Sequence, residues 1–199
     1  MAANLAAFEP VPCDDGSLRR AAVAVTVVRG EGGDGQAAVL LTRRSRHLRR
    51  HGGQFALPGG RLDPGETAPR AALRELHEEL GLDLDAGAIL GRLDDYPTRS
   101  GFRVTPLVVW GGAAADLRPD PDEVARVFRV PMAELDSPAV PRLRVEVEGR
   151  RPALMAPLPS VGGEVHSPTA AMLYQFREVA LRGQATRVAH FEQSEFAWK

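Results

Sequence analysis

Residues 60–82 read GRLDPGETAPRAALRELHEELGL, and they are the most informative part of the chain for its fold and function. Thr67 suits a helix N-cap, Pro69 falls in the first turn, where proline is tolerated, and Gly81 can end a helix. Apolar residues recur at a spacing of four between Ala72 and Leu80, which gives the segment a face to bury. The pattern therefore predicts an amphipathic helix from Thr67 to about Leu80.

The opposite face of this helix is acidic. Glu75, Glu78 and Glu79 stand at i, i+3 and i+4, so they share one face at about 3.6 residues per turn. Neighbouring like charges destabilise an isolated helix by roughly 0.2–0.5 kcal/mol per pair, and a positive partner is expected. Carboxylates are the ligands that Mg²⁺ and Mn²⁺ prefer. A solvated acidic face paired with arginine fits the same spacing, so the surrounding residues must distinguish the two interpretations.

The surrounding residues resemble the Nudix box without a departure. Gly60 is followed after five residues by Glu66, and after seven more by a run that reads RELHEELGL. Nine fixed positions fall within these 23 residues: Gly60, Glu66, Arg74, Glu75, Leu76, Glu78, Glu79, Gly81 and Leu82. Since chance rarely supplies the charged and glycine positions together, the resemblance favours a metal-dependent Nudix hydrolase over a solvated helix face.

The resemblance implies an α/β fold, the Nudix-type α/β/α sandwich with a mixed sheet. We expect residues 1–199 to form a single domain in which residues 1–18 are loose and a C-terminal extension follows residue 182. Strands are predicted at 21–28, 37–42, near 88–95 and at 103–110, with a strand pair at 142–148 and 153–156 and a late helix from Ser167 to about Leu181.

The resemblance also implies residue roles. Glu78 and Glu79 correspond to principal ligands of Mg²⁺ or Mn²⁺, and Glu75 to a further ligand or the group that activates water. Arg74 and Glu66 correspond to an ion pair that braces the loop against the helix.

Another carboxylate from outside the box is expected, and Glu123 is the candidate because it directly precedes the predicted strand VARVFRV. A solvent-facing turn rich in Asp and Pro explains the same residues.

The loop before the box resembles the motif of coenzyme A pyrophosphatases within the Nudix family. It comprises the sequence LLTRRS at 40–45, Arg49, Gly53 and the sequence LPGG at 57–60. Leu57 departs from that motif, which has phenylalanine there. The resemblance implies that Arg44 and Arg49, with Gly59 and Gly60, bind the substrate, since arginine forks suit phosphate. A solvated basic loop is the alternative.

Composition limits the other classes. The net charge of −1 over 199 residues offers no field for a nucleic-acid polymer, and no apolar run approaches the roughly 20 residues that span a bilayer. Cys13 is the only cysteine, and the first residues lack the pattern of a secretory signal, so we expect a cytoplasmic protein acting on a small nucleotide substrate.

More than one function fits these residues. Coenzyme A or an acyl derivative would give 3′,5′-ADP and a phosphopantetheine fragment, whereas other Nudix substrates include ADP-ribose, dinucleotides and oxidised nucleoside triphosphates. A nucleotide-sensing domain that does not cut, or an interaction protein with an acidic helix, belongs to a different class. The aromatic residues Phe191, Phe196 and Trp198 suggest packing or a homodimer contact.

Overall fold

The computed structural model describes residues 1–30, 36–48, 52–114, 116–145, 149 and 151–193. The strands are β1 (Arg19–Arg29), β2 (Ala37–Arg44), β3 (Phe55–Ala56), β4 (Gly59–Arg61), β5 (Ile89–Arg92), β6 (Tyr96–Pro97), β7 (Phe102–Trp110), β8 (Val124–Pro131), β9 (Arg142–Arg144), β10 (Ala153–Leu158) and β11 (Gly163–His166). The helices are α1 (Ala2–Ala7), α2 (Ala68–Leu80), α3 (Met132–Leu135) and α4 (Thr169–Phe176), and α4 continues as a π-helical turn, Arg177–Leu181.

A mixed sheet of eight strands forms the centre of the fold, as predicted. Its main path runs β3-β2-β1-β7-β5, while β4 joins β1, β6 joins β7 and β8 joins β2. The pairing of β1 with β7 is parallel, and the other pairings in this sheet are antiparallel. Alternate residues of β1 point to opposite faces of the sheet, where Ala22 joins one apolar cluster and Ala21 the other.

The box helix α2 covers one face of this sheet. Its buried residues include Ala72, Leu76 and Leu80, which confirms the predicted apolar stripe. Thr67 occupies the N-cap, and Gly81 ends the helix with a φ of 65° in the left-handed region. The Gly81 amide donates to the His77 carbonyl at 2.8 Å, so the chain turns sharply here. Both predicted ends of the helix are confirmed.

The other face is covered by α4 and by a second, three-stranded sheet with the order β11-β10-β9. The predicted strand pair is confirmed between Arg142–Arg144 and Ala153–Leu158, whereas residues 146–148 lie outside the described residues. The central sheet therefore lies between α2 and a layer made of α4 and the small sheet. This arrangement agrees with the predicted sandwich.

The expectation that residues 1–18 are loose is wrong for the start of the chain. Residues Ala2–Ala7 form α1, and Leu5 and Phe8 are buried. Leu5 packs closely over Gly91 of β5, where an added Cβ would lie 3.1 Å from the Leu5 Cβ. So short a helix is only marginally stable by itself, and the burial of two large apolar side chains offsets this. The helix propensity of residues 2–7 does not reveal that burial.

The strand predicted near 88–95 ends at Arg92, because the following residues build a polar junction. Asp94 and Asp95 are buried, and each accepts hydrogen bonds from several donors. Asp94 accepts from Val11 N at 2.8 Å, Gln175 Nε2 at 2.7 Å and Arg187 at 2.6 Å. The Asp95 carboxylate accepts from Cys13 N at 3.1 Å, Thr105 Oγ1 at 2.7 Å and Arg92 at 2.9 Å. Segments from both ends of the chain therefore meet at this edge of the sheet.

Within the described residues, no helix has both the length and the apolar character needed to cross a bilayer.

Candidate active site

Arg74 joins three of the predicted site glutamates. Its guanidinium donates to Glu66 at 3.0 and 3.1 Å, to Glu75 Oε1 at 2.9 Å and to Glu78 Oε2 at 2.8 Å. It also donates to the Arg61 carbonyl at 3.0 Å, which ties the helix to β4. The hydrogen bond from Arg74 lowers the pKa of Glu66. The same bond is the largest cause of the raised pKa of Arg74. Arg74 is thus the positive partner that the acidic spacing required.

Glu75 and Glu78 differ in their surroundings although both contact Arg74. Glu78 has 55% of its side chain exposed, whereas only 14% of the Glu75 side chain is exposed. Burial raises the pKa of Glu75, and Arg74 opposes that effect. The Glu75 carboxylate lies against Gly60, where any Cβ would collide with it. Gly60 is therefore needed for close approach of the carboxylate to the sheet.

Glu79 is the most enclosed carboxylate of the helix, with 3% of its side chain exposed. Its Oε1 lies 3.8 Å from a guanidinium nitrogen of Arg44 and 3.5 Å from the amide of Gly59, both at the long end of useful contact. Burial raises the pKa of Glu79 to about 8, and Arg44 only partly opposes this effect. The site holds a buried carboxylate whose negative charge is incompletely compensated.

Glu123 lies on the loop that the sequence identified, and its position links that loop to β2. Its carbonyl accepts from the amide of Ser45 at 2.8 Å, and the next residue, Val124, stands opposite Arg44 in the sheet. The negative charge of Glu123 contributes to the raised pKa of both Glu75 and Glu79. The fold therefore brings a carboxylate from outside the box towards two carboxylates of α2.

The donor set of this region fits a hard divalent cation. Glu75, Glu79 and Glu123 offer only carboxylate oxygens, and the uncompensated burial of Glu79 is an arrangement that a cation would stabilise. In the described part of the chain, however, no three such side chains already converge on a single ion position. Glu78, which is tied to Arg74, would have to turn away from it to join them.

The sequence profile of the NUDIX domain matches residues 18–152. The chain belongs to the Nudix family.

Two curated Nudix proteins show the extent of the similarity. Nudix hydrolase 3 of Caenorhabditis elegans is 45% identical over 109 residues, which cover 51% of this chain and 44% of that protein. The uncharacterized Nudix hydrolase NudL of Escherichia coli strain K12 is 42% identical over 119 residues, which cover 58% of this chain and 59% of that protein. The chain thus spans about half the length of the curated relatives it matches.

Solved Nudix structures support the fold. The Nudix hydrolase RenU of M. smegmatis has a TM-score of 0.53 and 24% identity, covering 82% of this chain and 86% of that one. A MutT/nudix family protein from Enterococcus faecalis also has a TM-score of 0.53, with 17% identity over 84% of this chain and 64% of that one. The mixed α/β architecture predicted from the Nudix box is confirmed.

Of the four residues predicted to bind substrate in this Nudix chain, the structure describes Arg44, Gly59 and Gly60. Arg44 lies beside Glu79, and Gly59 and Gly60 lie against Glu79 and Glu75. Arg49 lies outside the described residues. The sequence did not reveal that Arg44 points towards the box helix, because this depends on which face of the sheet α2 covers.

Replacement of Arg74 by alanine should destabilise the protein measurably. Three glutamates would lose their shared cation, and breaking a buried ion pair typically costs about 3–5 kcal/mol. Since 27% of the Arg74 side chain is exposed, solvent screening reduces this to roughly 1–3 kcal/mol. For a protein of this size the unfolding midpoint should fall by about 2–10 °C in thermal denaturation.

Arg70→Ala supplies the control, since Arg70 is an exposed arginine one turn earlier on α2. It should change stability by no more than about 0.5 kcal/mol. Equal midpoints for the two variants would show that Arg74 does not organise the acidic face.

Proposed function

We propose that this chain is a Mg²⁺- or Mn²⁺-dependent hydrolase that cuts the pyrophosphate linkage of a small nucleoside-diphosphate compound. The observation that carries the proposal is the buried Glu79, undercompensated by Arg44 and close enough to Glu75 and Glu123 for their charges to raise its pKa. A structural helix would gain nothing from such a carboxylate, because an apolar residue could fill the site at lower cost. Perturbed carboxyl groups of this kind are typical of functional sites.

Each residue of the site has a distinct part in this proposal. Glu78 and Glu79 would hold the ion, Glu75 would be a further ligand or the group that activates the attacking water, and Glu123 would add a carboxylate from the neighbouring loop. A bound divalent ion supplies neutralisation of the pyrophosphate charge and a lower pKa for the attacking water. Arg74 holds the acidic side chains in place through its bonds to Glu66 and the Arg61 carbonyl. Water adds to phosphorus as the bridging P–O bond breaks, leaving two phosphate products.

Glu75 is our candidate for accepting the proton of the attacking water. Its carboxyl is largely buried, and burial raises its pKa, which makes the carboxylate a stronger base. Arg74 holds Oε1 at 2.9 Å, which orients the group beside Gly60.

The substrate that best fits the sequence is coenzyme A or an acyl derivative, cleaved to 3′,5′-ADP and a phosphopantetheine fragment. The motif from Leu40 to Gly60 supports this choice, and Arg44 reaches the carboxylate site from that motif. Gly53, another residue of the motif, has a φ of 76° and bonds to the Arg44 carbonyl at 3.0 Å. Gly53 and Gln54 are therefore tied to the backbone of Arg44.

A substrate panel tests this assignment. With Mg²⁺ or Mn²⁺ present, specificity constants for coenzyme A, ADP-ribose, diadenosine compounds and an oxidised nucleoside triphosphate should rank coenzyme A first by at least about tenfold, a difference of about 1.4 kcal/mol in transition-state binding. Chromatography should identify 3′,5′-ADP among the products. A higher constant for ADP-ribose would overturn the coenzyme A assignment and leave the pyrophosphatase assignment intact.

A further inference from the structure

A pair of arginines lies beside the box on the face of the sheet opposite α2. Arg61 directly follows Gly60, and consecutive residues of a strand point to opposite faces. Gly60 is opposite Ala22 and faces the carboxylate of Glu75 on the α2 side. Arg61 is opposite Ala21, whose side chain belongs to the apolar cluster on the other face. Arg61 thus follows Gly60 of the carboxylate site directly in sequence, but its side chain points to the face of β4 opposite α2.

Arg19 converges on the same place from β1. It stands opposite Phe102 in the parallel pairing of β1 with β7. The guanidinium carbon of Arg19 lies 4.0 Å from the centre of the Phe102 ring, and that of Arg61 lies 5.2 Å from it. Arg19 is further held by a hydrogen bond of 2.9 Å to the Ser100 carbonyl. We call Arg19, Arg61 and Phe102 the Arg19–Arg61 cluster.

The charge of this cluster is not balanced by the residues that the structure describes. Throughout the described segments, neither Arg19 nor Arg61 forms an ion pair with a carboxylate, whereas Arg74 forms ion pairs with four. Both side chains belong to exposed residues. Stacking on Phe102 holds the two cations near one ring, although like charges repel each other. An anion placed between them would remove that repulsion.

We propose that the Arg19–Arg61 cluster binds a phosphate monoester of the substrate that lies outside the hydrolysed pyrophosphate. This inference rests on the proposed function and adds the residues that select among its substrates. Two guanidinium forks match the three oxygens of a phosphate monoester, and the fixed Arg19 reduces the loss of side-chain freedom on binding. The pyrophosphate itself is assigned to the carboxylate side of Gly60, so the cluster serves a second anionic group of the same molecule.

Coenzyme A and its dephospho form provide the test, because they differ by one phosphate monoester. We would measure specificity constants of the wild type, Arg19→Gln, Arg61→Gln and the double variant on both compounds. The wild-type preference for coenzyme A should fall by roughly tenfold to a hundredfold in the double variant, the range expected for lost hydrogen bonds to a charged group. Arg20→Gln is the matched control. Arg20 is an exposed arginine next to Arg19 that points to the other face, so this variant should keep the wild-type preference.

Binding of the two nucleotide products gives a readout that does not need turnover. By calorimetry, 3′,5′-ADP should bind the wild type more tightly than 5′-AMP, and the double variant should bind both alike. If a folded double variant keeps both the wild-type substrate preference and the wild-type affinity for 3′,5′-ADP, the role proposed for the cluster is wrong. The proposed pyrophosphatase function would be unaffected by that result. Failure of the wild type to cut any pyrophosphate would instead overturn the proposed function, while the product titration would still test the cluster.

Discussion

Glu79→Gln should lower turnover of the preferred pyrophosphate substrate by at least about a hundredfold, as expected when a charge-stabilising group worth several kcal/mol is lost. Glutamine keeps the shape of the side chain but removes the charge that the proposed ion requires. The measurement is kcat under saturating Mg²⁺ or Mn²⁺. Asp83→Asn is the matched control, because Asp83 is an exposed carboxylate just beyond the same helix and should leave kcat within about twofold.

The stability of the same variant provides an independent check on the environment of Glu79. Burial raises the pKa of Glu79 from its ordinary value of 4.5 to about 8 in the metal-free protein. Between these values the folded protein retains a proton that the unfolded chain releases, so this carboxyl weakens the fold as pH rises through the window. Glutamine does not titrate. The unfolding midpoint of metal-free Glu79→Gln should therefore match the wild type near pH 4 and exceed it increasingly towards pH 8.

These two measurements together separate misfolding from lost chemistry. A variant that is less active and more stable in the metal-free state has lost a functional charge, in keeping with the trade-off between stability and activity. Near-wild-type turnover in a folded Glu79→Gln protein would place the ion, and the reaction, elsewhere.

Removal of divalent metal should abolish hydrolysis altogether. The acidic side chains around Glu79 and Glu75 offer oxygen ligands, and the nearest cations, Arg44 and Arg74, cannot lower the pKa of an attacking water as an ion does. After treatment with a chelator, turnover should fall below about one hundredth of its original value. Added Mg²⁺ or Mn²⁺ should restore it.

Ion binding can also be followed without substrate. An ion that binds only the folded protein raises the free energy of unfolding by about 2.7 kcal/mol at one hundred times its dissociation constant. The thermal midpoint of the wild type should rise accordingly, and that of Glu79→Gln should rise much less. Full activity in a metal-free preparation would contradict the role given to the carboxylates.

The sequence predicted those parts of the fold that depend on local periodicity and on glycine. Both ends of α2 follow from Thr67 and Gly81, and the strands β1, β2 and β7 follow from short apolar runs. The lengths of β5 and β6 did not follow, because Asp94 and Asp95 interrupt the strand with bonds to residues far away in sequence. Helix α1 also escaped prediction, since the reason for its order is the burial of Leu5 and Phe8 against distant elements.

The sequence names the candidate site residues, but it does not show how their side chains are arranged. The box identified Glu66, Arg74, Glu75, Glu78 and Glu79. That spacing does not show that Arg74 holds three of these carboxylates while Glu79 faces Arg44, because side-chain direction depends on how α2 packs against β1 and β4. Nor could it reveal that Arg19 and Arg61 share one ring, since only the register of β1 with β4 and β7 brings them together.

The junction at Asp94 and Asp95 determines how far the chain can be trimmed. Both aspartates lie inside the matched span 18–152, whereas Val11 and Gln175, on which Asp94 depends, lie outside it. A fragment cut to that span would leave the buried Asp94 without the three donors that the structure gives it, whereas Asp95 would lose Cys13 and keep Thr105 and Arg92.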